Sequence, residues 1–208
     1  MNPFTSNSPS RPHRDCRPDT KTHVADHNDA GCPHRIVRVA IVADTHGVLD
    51  PRIAEVVREC DCAVHAGDIG GASVLAALRP AGTVVAVRGN NDSPAKWAED
   101  DRDGLEKLPV EATLELPGGP LIVVHGDRLV PARERHERLR RQYDQARAVV
   151  YGHTHRLLCD QGETPWVLNP GAAGRARTFG GPSCLVLHAD RRTWRVEALR
   201  FPPLKRSH

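Results

Sequence analysis

The side chains of this 208-residue chain best able to do chemistry fall in five short clusters: Asp44-Thr45-His46-Gly47, Gly67-Asp68, Gly89-Asn90-Asn91-Asp92, His125-Gly126-Asp127 and Gly152-His153-Thr154-His155. Side chains two apart on an extended segment point the same way, so Asp44 with His46, and His153 with His155, can each aim two ligand atoms at one point. The neighbouring glycines let backbone and metal approach closely. Asp, Asn and His donors without thiolate suit divalent Mn, Fe, Co, Ni or Zn rather than a four-cysteine structural zinc site. Asp44, His46, Asp68, Asn90, His125, His153 and His155 are too many donors for one centre that must keep an open position. Two ions sharing one carboxylate account for them, and Asp68 is the expected bridge. After two carboxylates and one hydroxide are counted, such a site keeps a charge of about +1, which attracts an anionic phosphoester. The expected reaction is hydrolysis, with a hydroxide bridging the two ions as nucleophile and no protein nucleophile.

These clusters need rigid elements to hold them. Ile36 to Val42 is a β-branched run ending just before Asp44, and it reads as a buried strand. A helix is expected next, with Asp50 as N-cap, Pro51 at its first position, and Ile53, Val56 and Val57 on one face. Strand Cys62 to His65, a helix near Ser73 to Leu78, a strand Thr83 to Val87 and a polar helical stretch around Pro94 to Arg102 follow. This β-α-β-α-β order belongs to a layered α/β sheet. Several of its strands end in the polar clusters, where such folds place their sites. Strands Ala112 to Leu116 and Leu121 to His125, joined across Gly118-Gly119, precede a charged helix near Ala132 to Tyr143 and a strand Ala148 to Tyr151. Short strands near Leu157 to Cys159, Val167 to Leu168, Cys184 to His188 and Trp194 to Leu199 make the remainder β-rich. Two sheets packed as a sandwich and flanked by helices accommodate both halves.

Composition narrows the classes further. A chain of this length holds one core of ordinary size. Its 29 basic and 26 acidic residues are interspersed, for a net charge of +3 without a continuous basic face, which argues against a dedicated nucleic-acid binder. The apolar runs fall far short of the roughly 20 residues that a membrane-spanning helix needs. Residues 1–35 lack both an apolar signal core and enough aliphatic side chains to fold, so a disordered tail is expected before a single domain at 36–208. The expected address is the cytoplasm, with the six cysteines reduced. Cys16, His23, His27 and Cys32 in the tail fit no strong zinc template.

In order, the motifs D-x-H, G-D, G-N-x-D, H-G and G-H-T-H resemble those of the calcineurin-like metallophosphoesterase family. Val-His-Ala-Gly-Asp-Ile around Asp68, Arg-Gly-Asn-Asn-Asp around Asn90, and Asn169-Pro170-Gly171 look like its small bacterial and archaeal phosphodiesterase branch. That branch also includes the scaffold subunit of the retromer sorting complex. The resemblance covers Ile36 to about Arg200 and implies a four-layer αββα sandwich of two mixed sheets flanked by helices. It implies Asp44, His46, Asp68 and His155 on one metal and Asp68, Asn90, His125 and His153 on the other, with manganese the expected ion. Asp68, Asn90, Asn91 and Asp92 are the candidate catalytic residues. The expected partner is a small phosphoester substrate; the alternative is a non-catalytic scaffold that binds another protein, and self-association is left open.

Two positions depart from the family pattern. Relatives often carry His or Cys where this chain has Asn91, and a second His where it has Asp127. An amide is a poor general acid, so esters with activated leaving groups are expected to react best. His65 and Arg88 lie beside ligands, where a hydrogen-bonded core histidine and a carboxylate-paired arginine explain them as well as a direct role does. Asn169-Pro170-Gly171 reads most simply as a turn. Arg133 to Arg141 reads as a solvated helix face with i,i+4 ion pairs.

Overall fold

The computed structural model describes residues 35–203; residues 1–34, with Cys16, His23, His27 and Cys32, lie outside them. The first half runs β1 (Val37–Val42), α1 (Pro51–Arg58), β2 (Cys62–His65), α2 (Ala72–Ala77) and β3 (Val84–Ala86). Then come α3 (Arg102–Glu106), β4 (Glu111–Leu116), β5 (Gly119–Val124), α4 (Arg135–Gln142) and β6 (Ala148–Tyr151). The chain closes with β7 (Leu157–Asp160), β8 (Trp166–Pro170), β9 (Ser183–Ala189) and β10 (Trp194–Arg200). The strands form two five-stranded mixed sheets, ordered β10-β9-β1-β2-β3 and β4-β5-β6-β8-β7.

Side-chain parity sets the layers. On β1, Val39 and Ile41 face Leu121, Val123, Ala148 and Val150 of the other sheet. Ala40 and Val42 point the opposite way, onto Ile53 and Val57 of α1 and Leu78 beyond α2. The second sheet mirrors this, with Ile122, Val124, Val149 and Val167 turned outward onto Leu139 of α4. A strand buried on both faces reads as a continuous apolar run, and β1, β5 and β6 do. The result is the four-layer αββα sandwich, α1 and α2 covering one sheet and α4 the other.

The first helix starts where its sequence says. The Asp50 carboxylate accepts the Arg52 backbone N–H at 3.0 Å, and Pro51 occupies the first turn. The expected helix over Pro94 to Arg102 is displaced toward the C-terminus. Trp97 is buried against Ile69, Val74 and Leu105 and donates its indole N–H to Asp92 at 3.1 Å. That anchorage holds the preceding residues in turns, and regular helix begins only at Arg102. Among the described residues the four cysteines, Cys60, Cys62, Cys159 and Cys184, are free, and no helix is long and apolar enough to cross a membrane.

Candidate metal centre

β1, β2 and β3 run parallel in one sheet, and β5, β6 and β8 run parallel in the other. Asp44 and His46 follow β1, Asp68 follows β2, Asn90 follows β3, His125 follows β5, and His153 and His155 follow β6. Five of these side chains leave a backbone in the left-handed region: Asp44 (φ 53°), His46 (46°), Asp68 (56°), His153 (66°) and His155 (58°). That conformation costs about 1 kcal/mol or more at a residue with a Cβ. The loops after β1 and β2 offset it by bonding each other, Asp44 N–H to Gly67 O, His46 N–H to Asp68 O and Gly47 N–H to Ile69 O. Close packing against candidate ligand side chains demands glycine at two positions: a Cβ on Gly89 would lie 2.3 Å from Asp68 Oδ1, and one on Gly67 would lie 2.6 Å from His125 Nδ1.

The seven sequence-predicted ligands converge in two adjoining groups. In one, ligand atoms of Asp44, His46, Asp68 and His155 all lie within 4.8 Å of one another. In the other, Asn90 Oδ1 lies 3.1 Å from both His125 Nε2 and His153 Nδ1. Asp68 touches both groups, with Oδ2 3.8 Å from His46 Nε2 and Oδ1 3.4 Å from His125 Nε2. His125 Nδ1 faces the Ala66 carbonyl at 2.8 Å and donates to it, while its Nε2 faces Asn90 Oδ1 at 3.1 Å and Asp68 Oδ1 at 3.4 Å. A cation set among these three atoms would take the place of the Nε2 proton and use the lone pair it leaves.

Electrostatics point the same way. Asp44 is fully buried and its Oδ2 has no hydrogen-bond partner; burial pushes its carboxyl up to about 7. A bound cation would supply the countercharge that burial withholds. Burial also opposes ionisation of Asp68, yet hydrogen bonds from His125 and Asn91 hold its carboxyl well below the usual range. Burial, then the charge of Arg177, push His155 down to about 4, leaving a neutral ring fit to ligate. The donor set therefore suits a divalent metal, with His155 neutral and Asp68 ionised. Burial opposes charge on His125, but its hydrogen bond to Asp68 holds the ring above its ordinary value, so an ion would have to displace a proton there.

Other polar residues hold these ligands in place. Asn91 donates its backbone N–H to Asp68 Oδ1 at 2.8 Å and its amide to Oδ2 at 2.7 Å. The Asp92 carboxylate accepts backbone N–H groups of Ile69, Gly70 and Gly89 and the Trp97 indole, tying three segments together. His65 is fully buried; its Nε2 lies 2.8 Å from Thr45 Oγ1 and its Nδ1 accepts the Gly67 N–H, so it braces the loops beside Asp44 and Asp68. Asn169 donates to Gly152 O at 2.8 Å and to Thr154 Oγ1 at 3.1 Å, fixing the segment that carries His153 and His155. Arg177 donates from Nη2 to His155 Nε2 at 3.1 Å. Sequence reasoning passed over Arg177, which stands in a loop with no motif around it.

A cavity of about 220 Å³ opens beside Asn90 and His125. Leu129, Leu139 and Tyr143 line it, with the exposed Arg88 and Arg128.

An αββα sandwich with a carboxylate–histidine cluster at the ends of its parallel strands is the framework of a metal-dependent phosphoester hydrolase. Residues 37–192 match the calcineurin-like phosphoesterase superfamily domain, and the chain belongs to that superfamily. It is 27% identical over 140 residues to a probable metallophosphoesterase of Methanocaldococcus jannaschii, spanning 64% of this chain and 67% of that protein. The fold is also that of an archaeal phosphodiesterase, at 22% identity and a TM-score of 0.57 over 78% of this chain and 99% of the other. Vps29 of Entamoeba histolytica in complex with zinc shares it too, at 17% identity and a TM-score of 0.60 over 78% and 98%.

Proposed function

We propose that the chain is a binuclear-metal-dependent phosphodiesterase. The observation that carries this reading is the position of Asp68, whose two carboxylate oxygens reach toward His46 on one side and His125 on the other. Asp44, His46 and His155 would complete one ion's shell, and Asn90, His125 and His153 the other's. Two bound divalent ions, with manganese among those the donor set suits, would acidify a water and neutralise charge on the phosphoryl group. The chain's own side chains orient and hold. Asn91 and Asp92, whose polar atoms are spent on Asp68 and on the surrounding loops, act as positioning residues. A diester fits better than a monoester because the cavity beside Asn90 and His125, lined by Leu129, Leu139 and Tyr143 together with Arg88, Arg128, Glu111 and Asp127, has room for one ester substituent.

The test is hydrolysis of bis-p-nitrophenyl phosphate and p-nitrophenyl phosphate by metal-stripped protein resupplied with Mn, Ni, Co, Zn or Mg. Metal-dependent turnover favouring the diester is expected, falling about a hundredfold or more in Asp68→Ala and in His125→Ala. The rival reading is a scaffold that binds a partner protein. It requires no turnover with any metal, and that outcome would replace the proposal.

A further inference from the structure

We infer that Arg177 is a phosphate-binding residue of this site, and that its guanidinium and a metal ion compete for one lone pair, that of His155 Nε2. The inference rests on the phosphoesterase reading above. His155 Nδ1 faces the Ala176 carbonyl at 3.2 Å and donates to it, which leaves the lone pair on Nε2. That Nε2 lies 3.2 Å from His46 Nε2 and 3.5 Å from Asp44 Oδ1, so the lone pair points into the first ligand group. Arg177 Nη2 donates to the same atom at 3.1 Å. One lone pair cannot serve a guanidinium and a metal ion together. Metal loading therefore transfers it to the ion and releases the arginine.

The released side chain stays close. Arg177 lies in the loop between β8 and β9, next to Ala176, whose carbonyl holds His155. The residue itself is exposed, so its head group reaches the cluster from the solvent side, the side from which an ester must arrive. Its charge acts on Asp44, His46 and His155 together. Freed from His155, it has no other hydrogen-bond or ion-pair partner among the described residues. A guanidinium offers a planar fork of N–H donors that matches two phosphoryl oxygens, and such charge-assisted pairs are about twice as strong as neutral ones. Placed beside the ions, it can hold the phosphoryl group in line and stabilise the charge that grows on its oxygens.

Two equilibria and one rate test this on the full chain. Calorimetry with Mn2+ alone measures metal affinity, titration of inorganic phosphate into Mn2+-loaded protein measures anion affinity, and kcat/KM is read on bis-p-nitrophenyl phosphate. Arg177→Ala should tighten Mn2+ binding about threefold or more, because a competitor and a like charge are gone. It should weaken phosphate binding and lower kcat/KM, each by about tenfold or more. Arg177→Lys, which keeps the charge but loses the fork, should fall between wild type and Ala for phosphate. Phosphate affinity within about twofold of wild type in Arg177→Ala would overturn the inference, whatever happens to Mn2+. A wild-type protein that binds Mn2+ and phosphate but cleaves no ester would instead sink the phosphoesterase reading and leave the arginine assignment to stand on the phosphate titration.

Discussion

Asp68 is a buried carboxylate that must stay ionised, and the groups around it see to that. Asn91 gives it two hydrogen bonds, His125 lies 3.4 Å from it, and the Asn91 amide oxygen is itself taken by the Lys96 ammonium. Nothing at position 91 is then free to hand a proton to a departing alcohol, and an amide has none to give at neutral pH. Rates should therefore fall steeply as the leaving group becomes more basic, p-nitrophenyl esters far outpacing alkyl esters. Asn91→His should raise the ratio of the alkyl-diester rate to the p-nitrophenyl rate by roughly tenfold or more, while loss of the amide bond to Asp68 lowers both rates together. Kinetics on both substrates decide it: an equal effect on the two would mean that proton delivery does not limit turnover. The seven candidate ligands were legible in the sequence because each belongs to a short motif at a strand end. By its residue types alone Asn169 read as a turn, with a supporting role implied only by the resemblance, and Arg177 as nothing, because what each does depends on a residue remote from it, Gly152 and His155 respectively, that spacing along the chain does not reveal.

At the level of single elements, local signals and local structure agree wherever one short segment settles its own fate. α1 is the clearest instance. Asp50 caps it through the Arg52 N–H and also pairs with the Arg52 guanidinium at 2.9 and 2.8 Å. Those hydrogen bonds from Arg52 hold the Asp50 carboxyl below its ordinary value. A depressed carboxyl contributes stability that is complete above the unfolded value of about 3.9 and is lost as pH falls through the lower folded value. Asp50→Ala should cost about 1 kcal/mol at neutral pH through the lost cap, lowering Tm by about 2–4 °C. The gap between wild type and variant should narrow below about pH 3.9, and melting curves that keep the same gap in acid would refute the assignment. The stretch over Pro94 to Arg102 shows the opposite case. Its polar, helix-compatible residues promised a helix, but one aromatic side chain, Trp97, is drawn into a cluster with Ile69 and Leu105 and dictates turns instead. Propensity yields there to a contact that only the assembled fold supplies.

For the molecule as a whole, the αββα layering followed from apolar runs and from the family resemblance, but the order of strands within each sheet did not. β9 enters between β1 and β10, and β8 between β6 and β7, so these neighbours are chosen by closure of both sheets over one core. That closure brings the ends of β1, β2 and β3 from one sheet against those of β5 and β6 from the other, and the ligand groups straddle the seam. In the first group Asp44 and His46 meet His155; in the second Asn90 meets His125 and His153. Metal binding should therefore fasten the two sheets together at that end, while relieving the buried charge of Asp44 and giving its Oδ2 a partner. An ion that binds only the folded chain, at about a hundred times its dissociation constant, adds about 2.7 kcal/mol. For a domain of this size that corresponds to a rise in Tm of roughly 5–10 °C. Melting curves of stripped protein, Mn2+-loaded protein and loaded protein treated with a chelator should show the rise and its reversal. Asp68→Ala, which removes the carboxylate common to both groups, should abolish most of it. A Tm indifferent to Mn2+ in the wild-type chain would mean that the seam closes without metal, and that the converging side chains have been retained for something other than holding ions.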